Sequence, residues 1–307
     1  MRIVLFDDYK LGLLKDSGVV DASAAVAGVQ VRNGQEVIEE IIEGWDRLRP
    51  QLETLLSQGA VIPMDRVRLR APTPRPATIF NMGGNYRENG VLQPGLLWGF
   101  LKSPAAVLDP GGTVVLPRVD ANIFHHEAEL VVVLGKRGKD VAPAAAMDYV
   151  FGYTCGVDVS ARLGSAAGPG GLLGKTYEGF APLGPCIVTK DEVPDPHSLQ
   201  IRLWVDGQPR HDYNTSDMAR SIPHCIEYMT SILPITPGDL LFTGTNHQGI
   251  GPIQDGETVE IEIQPIGRLT FHVSDPLERR WPKAIDEVSA KDVRERTGGP
   301  GQRARPL

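Results

Sequence analysis

The sequence predicts an α+β protein rich in β-structure, with one large mixed-sheet domain preceded by a small α/β unit. Three observations carry that expectation. Short apolar or alternating runs such as "ELVVVLG", "IRLWVDG", "ETVEIEI" and "RLTFHV" are bounded by Gly, Pro and Asp, as strands are. No regular helices separate those runs, which excludes a doubly wound parallel sheet. The first 70 or so residues have a different pattern, three short strands followed by a strong helical periodicity.

Taken in order, "RIVLF", "LGLL" and "VVDA" read as strands, and "QEVIEEIIEGWDRL" reads as a helix whose buried stripe is Val37, Ile38, Ile41, Ile42 and Trp45. Pro50 is expected to break that helix or to start "PQLETLLSQG". The prolines of "RAPTPRPATIF" suggest an extended linker, so the small unit spans residues 1–72. Residues 73–276 form the large domain. Its one clear helix is "SIPHCIEYMTSIL", with Ser221 as N-cap and Ile222, Cys225, Ile226, Met229 and Ile232 on one face. Residues 277–307 are a charged, Pro/Gly-rich extension that reads as a mobile tail or wrapping arm and is assigned no chemistry.

Composition narrows the function. The 307 residues carry a formal net charge of -7 and a pI near 5.5. Basic residues are scattered except near the C-terminus, which argues against nucleic acid or an anionic membrane as partner. Cys155, Cys186 and Cys225 are odd in number and far apart, so a disulfide framework or structural zinc is not expected. No apolar run approaches the roughly 20 residues of a membrane span, and "MRIVLFDDYK" is too short in apolar residues for a signal peptide. The expected setting is the cytoplasm, and the expected ligand is a small molecule.

In "HHEAELVVVLG", Glu127 and Glu129 lie two apart, so on a strand both carboxylates face one side, with His125 one step further along. Two like charges this close need a cation between them, or one must stay protonated. The apolar run that follows indicates a strand buried on both faces, which weakens the alternative of two solvated glutamates at a sheet edge. Asp158 interrupts the apolar segment "FGYTCGVDVSAR"; a turn or cap is its ordinary role, but a third ligand is the other. Three carboxylates without cysteine favour a hard cation, Mg²⁺ or Mn²⁺. The segment "GSAAGPGGLLGKT" lacks the glycine spacing and following helix of a phosphate loop, and reads instead as a flexible loop that delivers Lys175. Beside a divalent cation, that ammonium could bind a carboxylate or stabilise enolate charge. "PGDLLFTGTNHQGIG" runs from a strand into a glycine-rich turn, where Gly244, Thr245 and Asn246 are candidates to meet anionic substrate oxygens.

Together, "GGNYRENG", "FLKSPAAVLDPGGTVVLP", "HHEAELVVVLG", "GYTCGVDVSAR", "GKTYEGFAPLGPCIVT", "NTSDM" and "PGDLLFTGT" followed by "GIG" resemble the fumarylacetoacetate hydrolase family, in order and spacing over about residues 78–275. The resemblance implies a mixed β-sheet/roll catalytic domain and a homodimer. It also implies Mg²⁺ or Mn²⁺ held by Glu127, Glu129 and Asp158, with Lys175 and Thr245 contacting substrate. Members of the family act on small 2-oxo, 2-hydroxy-dienoate or acylpyruvate acids, by C-C hydrolysis, isomerisation, decarboxylation or dehydration. Hydrolytic members resemble N-Y-x-x-H-x-x-E in a lid segment, whose histidine and glutamate activate water.

This chain departs from that pattern. In "NYRENGVL", Asn89 stands at the histidine position and Leu92 at the glutamate position. The turn after Thr245 reads "NHQGIG", which brings His247 toward the expected substrate site. The expectation is that His247, with Glu88 or a metal-bound water, replaces the missing base; an exposed turn histidine is the simpler alternative. The leading function is metal-dependent hydrolytic cleavage of a C-C bond in an acylpyruvate-type acid. The alternatives are an isomerase, tautomerase, decarboxylase or dehydratase of a related acid, or a metal-binding protein without activity.

Overall fold

The computed structural model describes residues 1–93, 95–163 and 172–296. Its backbone is a twelve-stranded mixed sheet. The order runs from Val61–Pro63 through Gly18–Asp21, Lys10–Lys15, Arg2–Phe6, Ala181–Thr189, Val150–Val157, Ala128–Leu134, Leu240–Phe242 and Ile79–Gly83 to Trp98–Lys102. Two short strands, Leu69–Arg70 and Val107–Leu108, pair off this path. A five-stranded sheet (Gln208–Asn214, Gln200–Val205, Thr258–Ile263, Gly267–Ser274, Thr113–Val115) packs against it, and a three-stranded sheet (Ser160–Arg162, Ile123–His126, Gly251–Pro252) closes one end.

Ala128–Leu134 and Val150–Val157 are buried at every position, as their continuous apolar runs predict for strands covered on both faces. By contrast Thr258–Ile263 alternates half-buried and buried residues, which is the pattern of a sheet with one wet face. The first 70 residues are continuous with this scaffold, because Arg2 and Ile3 pair antiparallel with Val188 and Ile187. Residues 71–78 then run without regular structure into Ile79–Gly83.

Several local expectations need correction. The first helix spans Gly34–Glu43 and buries Val37, Ile38, Ile41 and Ile42, but a second helix, Trp45–Gln58, begins immediately. The break falls at Gly44, and Pro50 sits inside the second helix, where it forfeits only its own bond to the carbonyl four residues back. Trp45 is half-buried and lies edge-on to Phe151 at 5.1 Å. Helix Ile222–Ile232 starts at Ser221, yet Ser221 Oγ pairs with His224 Nδ1. The first amide, Ile222 N-H, donates to His197 Nε2 instead. Ile232 is 54% exposed and leaves the buried stripe, because the helix ends there.

The C-terminal extension is not a loose tail over its described length. Trp281 is buried with its indole N-H on Asn122 O, and Arg279 donates to the carbonyls of Pro117 and Val119 while stacking over Phe124. A last helix, Glu287–Glu295, packs against the turn His247–Gly249. Residues 297–307, and 164–171 of the loop preceding Lys175, lie outside the described residues. Among the described residues no helix is long and apolar enough to cross a membrane.

Candidate active site

Glu127 sits between two strands rather than within one. Ile123–His126 belongs to the small sheet and Ala128–Leu134 to the large one, so the chain changes sheets at the glutamate. Ala128 pairs with Val157 and Glu129 with Gly156, and Asp158 N-H donates to Glu127 O at 2.9 Å. That register carries Asp158 to the same end as the two glutamates. Carboxylate oxygens of Glu127, Glu129 and Asp158 lie within 4.8 Å of one another, and all three side chains are buried. Buried oxygen donors converging this closely suit a hard divalent cation, so the residues present fit the Mg²⁺ or Mn²⁺ that the motif implies.

Three cationic side chains border the same carboxylates. Lys175 lies on a single helical turn, Leu172–Lys175, and its Nζ donates to Glu127 Oε2 at 2.8 Å, Asp158 Oδ2 at 2.7 Å and Ser160 Oγ at 2.7 Å. The same ammonium stands over the Phe100 ring at 5.0 Å. Lys102 Nζ donates to Asp158 Oδ1, and Arg162 NH2 to Glu127 Oε1. Burial alone would raise the Glu127 carboxyl, but Lys175 and Arg162, with His247 behind them, hold it well below the ordinary range. Among the described residues no cation bonds to the oxygens of Glu129; it accepts Gly244 N-H at 2.6 Å. Burial, reinforced by Asp158 and Glu127, pushes it well above the ordinary range. The two glutamates therefore differ in kind, one held as an anion by cations and one primed to share a charge.

His125 does not point along with the glutamates. Its Nε2 is 3.0 Å from Asp286 Oδ2, and Arg162 Nε donates to its Nδ1 at 3.2 Å. An acceptor Nδ1 fixes the neutral tautomer with the proton on Nε2. Burial lowers the imidazole to about 4. His125 is thus hydrogen-bonded to Glu127 through Arg162, as a support behind the carboxylates.

His247 and Glu88 form a second pair of the site. His247 Nδ1 is 2.8 Å from Glu88 Oε1, and His247 N-H donates to Glu88 Oε2 at 2.9 Å. Burial opposes ionisation of Glu88, but the bonds and charge of His247 and the Gln248 amide outweigh it, so its carboxyl lies below the ordinary range. In the neutral form of the imidazole, an ionised Glu88 accepts the Nδ1 proton and Nε2 is the acceptor nitrogen. The pair is mounted on turns. Glu88 and Asn89 have φ of 53° and 63°, in the left-handed region that costs a non-glycine residue energy unless its surroundings fix it. Here Asp217 does so, accepting the amides of Asn89 and Gly90 at 2.9 Å each.

Gly244, at φ 91°, turns its amide onto Glu129, and a side chain there would meet Asn85 Cβ at 3.2 Å. Thr245 is buried with Oγ1 3.4 Å from the Tyr213 hydroxyl, which itself donates to Ala128 O. Asn246 faces the lid rather than the carboxylates. Its Nδ2 donates to Asn89 Oδ1 and Asp217 Oδ2 at 2.9 Å, and its Oδ1 accepts Gln248 N-H. Sequence reasoning missed Lys102, Arg162, Asp217, Gln248 and Asp286. Lys102, Arg162, Asp217 and Gln248 lay inside the quoted segments "FLKSP", "DVSAR", "NTSDM" and "NHQGIG", where membership of the motif was the available signal; Asp286 had none.

Residues 78–274 match the fumarylacetoacetate (FAA) hydrolase C-terminal family model. The chain is 34% identical to the mitochondrial oxaloacetate tautomerase of Bos taurus over 81% of its own length and 82% of the relative's. It is 30% identical to the maleylpyruvate hydrolase of Aquipseudomonas alcaligenes over 89% and 99%. The crystal structure of maleylpyruvate hydrolase from Sphingobium sp. SYK-6, in complex with manganese(II) and pyruvate, superposes with a TM-score of 0.80 at 33% identity, covering 90% of this chain and 99% of that one. With the motifs in order, the sheet architecture shared and these three relatives enzymes, the chain belongs to the fumarylacetoacetate hydrolase family of enzymes.

Proposed function

We propose that the protein is a divalent-metal-dependent hydrolase that cleaves a C-C bond in an acylpyruvate-type acid. The observation that carries this reading is the Glu88–His247 pair. It rebuilds a carboxylate-imidazole base from different positions where Asn89 and Leu92 have replaced the usual one. Glu127, Glu129 and Asp158 are the proposed ligands of Mg²⁺ or Mn²⁺, which when bound supplies charge stabilisation for the enolate of a 2-oxo acid. His247 Nε2 takes a proton from the attacking water while Glu88 holds the Nδ1 proton, so the imidazole charges without moving. Water adds to the ketone carbon, the adjacent C-C bond breaks, and the enolate leaving group recovers a proton as the 2-oxo acid. Lys175, delivered beside Glu127 and Asp158, is the proposed partner of the developing enolate or of the substrate carboxylate. Thr245 and the backbone of Gly244 and Asn246 form the proposed wall for the carboxylate end.

The likeness to an oxaloacetate tautomerase supports a second reading, in which the same pair shuttles a proton between carbon and oxygen with no water consumed. The test is one panel of maleylpyruvate, other acylpyruvates and oxaloacetate, assayed with Mn²⁺ and with chelator, products identified. Two acids from one acylpyruvate, lost with chelator, support hydrolysis; enol-keto exchange alone on every substrate refutes it in favour of the tautomerase. Replacing His247 by Gln is expected to remove hydrolysis, and an unchanged rate and pH profile would sink the base assignment. A homodimer is also proposed, since Val91, Leu96 and Leu101 leave apolar surface exposed in and beside the lid. Sedimentation of the full chain at the mass of one copy would exclude it.

A further inference from the structure

The C-terminal arm lies beyond the region matched by the family model, which ends at residue 274. It nevertheless reaches both halves of the site. At its near end, Asp286 accepts from His125, which is tied through Arg162 to Glu127. Asp286 also caps the last helix by accepting the Ser289 amide and hydroxyl at 3.0 and 2.6 Å, so the same carboxylate fixes the helix start and the histidine. At the far end, Arg294 NH1 donates to Gln248 Oε1. Gln248 Nε2 in turn donates to Glu88 Oε2 at 2.7 Å and to Ala290 O at 3.3 Å. Arg296, past the helix end, donates to Gln93 O in the lid segment.

Gln248 is the hinge of this arrangement. A carboxamide can turn either end toward Glu88, and only the N-H₂ end donates to a carboxylate. A guanidinium on its oxygen forbids the flipped orientation, because the flip would set N-H groups against N-H groups. With Gln248 so held, one oxygen of Glu88 is committed to the amides and the other faces His247 Nδ1. We infer that the C-terminal helix is a built-in positioning device for the base: Arg294, acting through Gln248, orients Glu88 and so sets which nitrogen of His247 carries the proton. This rests on the proposed role of His247.

The experiment uses the full-length protein with Arg294→Met, Arg294→Lys, Gln248→Met and His247→Gln, loaded with diamagnetic Mg²⁺ for the resonances and with Mn²⁺ for kinetics. Imidazole ¹⁵N resonances of His247 are assigned as those missing from His247→Gln. The wild type is expected to show one protonated and one bare nitrogen, whereas Arg294→Met and Gln248→Met should draw the two together as tautomers exchange. The same two variants should lose up to about 100-fold in kcat with KM and bound Mn²⁺ little changed, the size of loss that misplacing a reacting group brings. Arg294→Lys should restore part of both readouts. If Arg294→Met fails to fold, Gln248→Met removes the same bridge without touching the arm. Unchanged ¹⁵N shifts and kcat in Gln248→Met overturn the inference, as does a kcat loss matched by an equal loss of Mn²⁺ or folded protein. Full activity in His247→Gln would instead refute the base assignment, and the ¹⁵N pattern of Gln248→Met would still decide whether the bridge sets the tautomer.

Discussion

The two sides of the candidate site are built by opposite means. The carboxylates stand on and between fully buried strands, in a register that the hydrogen-bond ladder dictates. The Glu88–His247 pair stands on two turns, one of them in left-handed backbone, and is held by Gln248 of the same turn as His247 and by side chains from two distant stretches, Asp217 and Arg294. A rigid mount suits the proposed metal ligands, which must not move, and a turn mount lets the proposed base sit at a new address without disturbing the sheet. In this chain the ladder constrains the first group and leaves the second free of it.

Substitutions at the carboxylates should give the largest effects and should separate the two glutamates. Glu129→Gln is expected to weaken Mn²⁺ binding by more than about 100-fold with the melting temperature nearly unchanged, because only a backbone amide depends on that side chain. Glu127→Gln should lose Mn²⁺ as well, but also about 3 kcal/mol or more of stability, since Lys175 and Arg162 would be left facing a neutral amide. Titration calorimetry with Mn²⁺ and thermal melts check both. Equal melting temperatures for the two variants would break the distinction, and undiminished Mn²⁺ affinity in both would remove the metal assignment.

Next in size comes the base. Glu88→Gln should lower kcat by about 10²-fold or more while Mn²⁺ affinity stays within a few-fold of wild type, because the pair touches no ligand. Loss of metal together with activity would show that the two sides are not separable.

A smaller effect concerns acid. His125 and His211 are fully buried, and burial lowers each to about 4. Their folded values lie below the unfolded value near 6.5, so the unfolded chain takes up protons first as pH falls. Their contribution to stability is complete above about pH 6.5 and is lost on descent toward 4, by at most ~1.4 kcal/mol per histidine per pH unit. The melting temperature is expected to fall through that window, and His211→Gln should flatten the slope. A flat melting temperature between pH 6.5 and 4 would contradict it.

Smallest is the surface. Arg49 pairs with Glu53 and Asp191 in half-exposed positions, and Arg49→Ala is expected to cost no more than about 1 kcal/mol. A denaturant titration that found several kcal/mol would mean the small unit is held to the sheet by charge rather than by strand pairing.

The same contrast explains how much the sequence disclosed. Burial on both faces writes continuous apolar runs, so the strands and the glutamates that end them were legible in "HHEAELVVVLG". Asp158 was legible for the same reason, as a charge in an apolar run. The pairing of Glu88 with His247 could be suspected only from a histidine lost at one position and gained at another. Asp286 and Arg294 could not be found at all, because in a charged, Gly/Pro-rich extension a residue that reaches back across the fold looks like its solvated neighbours. Gly44 and Pro50 teach a similar lesson on a smaller scale, since breaking strength read locally ranks proline first, whereas the helix pair bends at glycine.

One pairing has a consequence in time. Arg2 and Ile3 find their partners at Val188 and Ile187, so their strand cannot complete its ladder until the chain has been extended by roughly 185 residues. At about 5–20 residues per second, that strand and its local hairpin wait roughly 10–40 s for the neighbour that covers them. During that interval an apolar edge is open to whatever else can pair with it. The risk to this protein therefore falls before it is whole, and conditions that slow translation should lower its soluble yield more than conditions that merely warm the finished molecule.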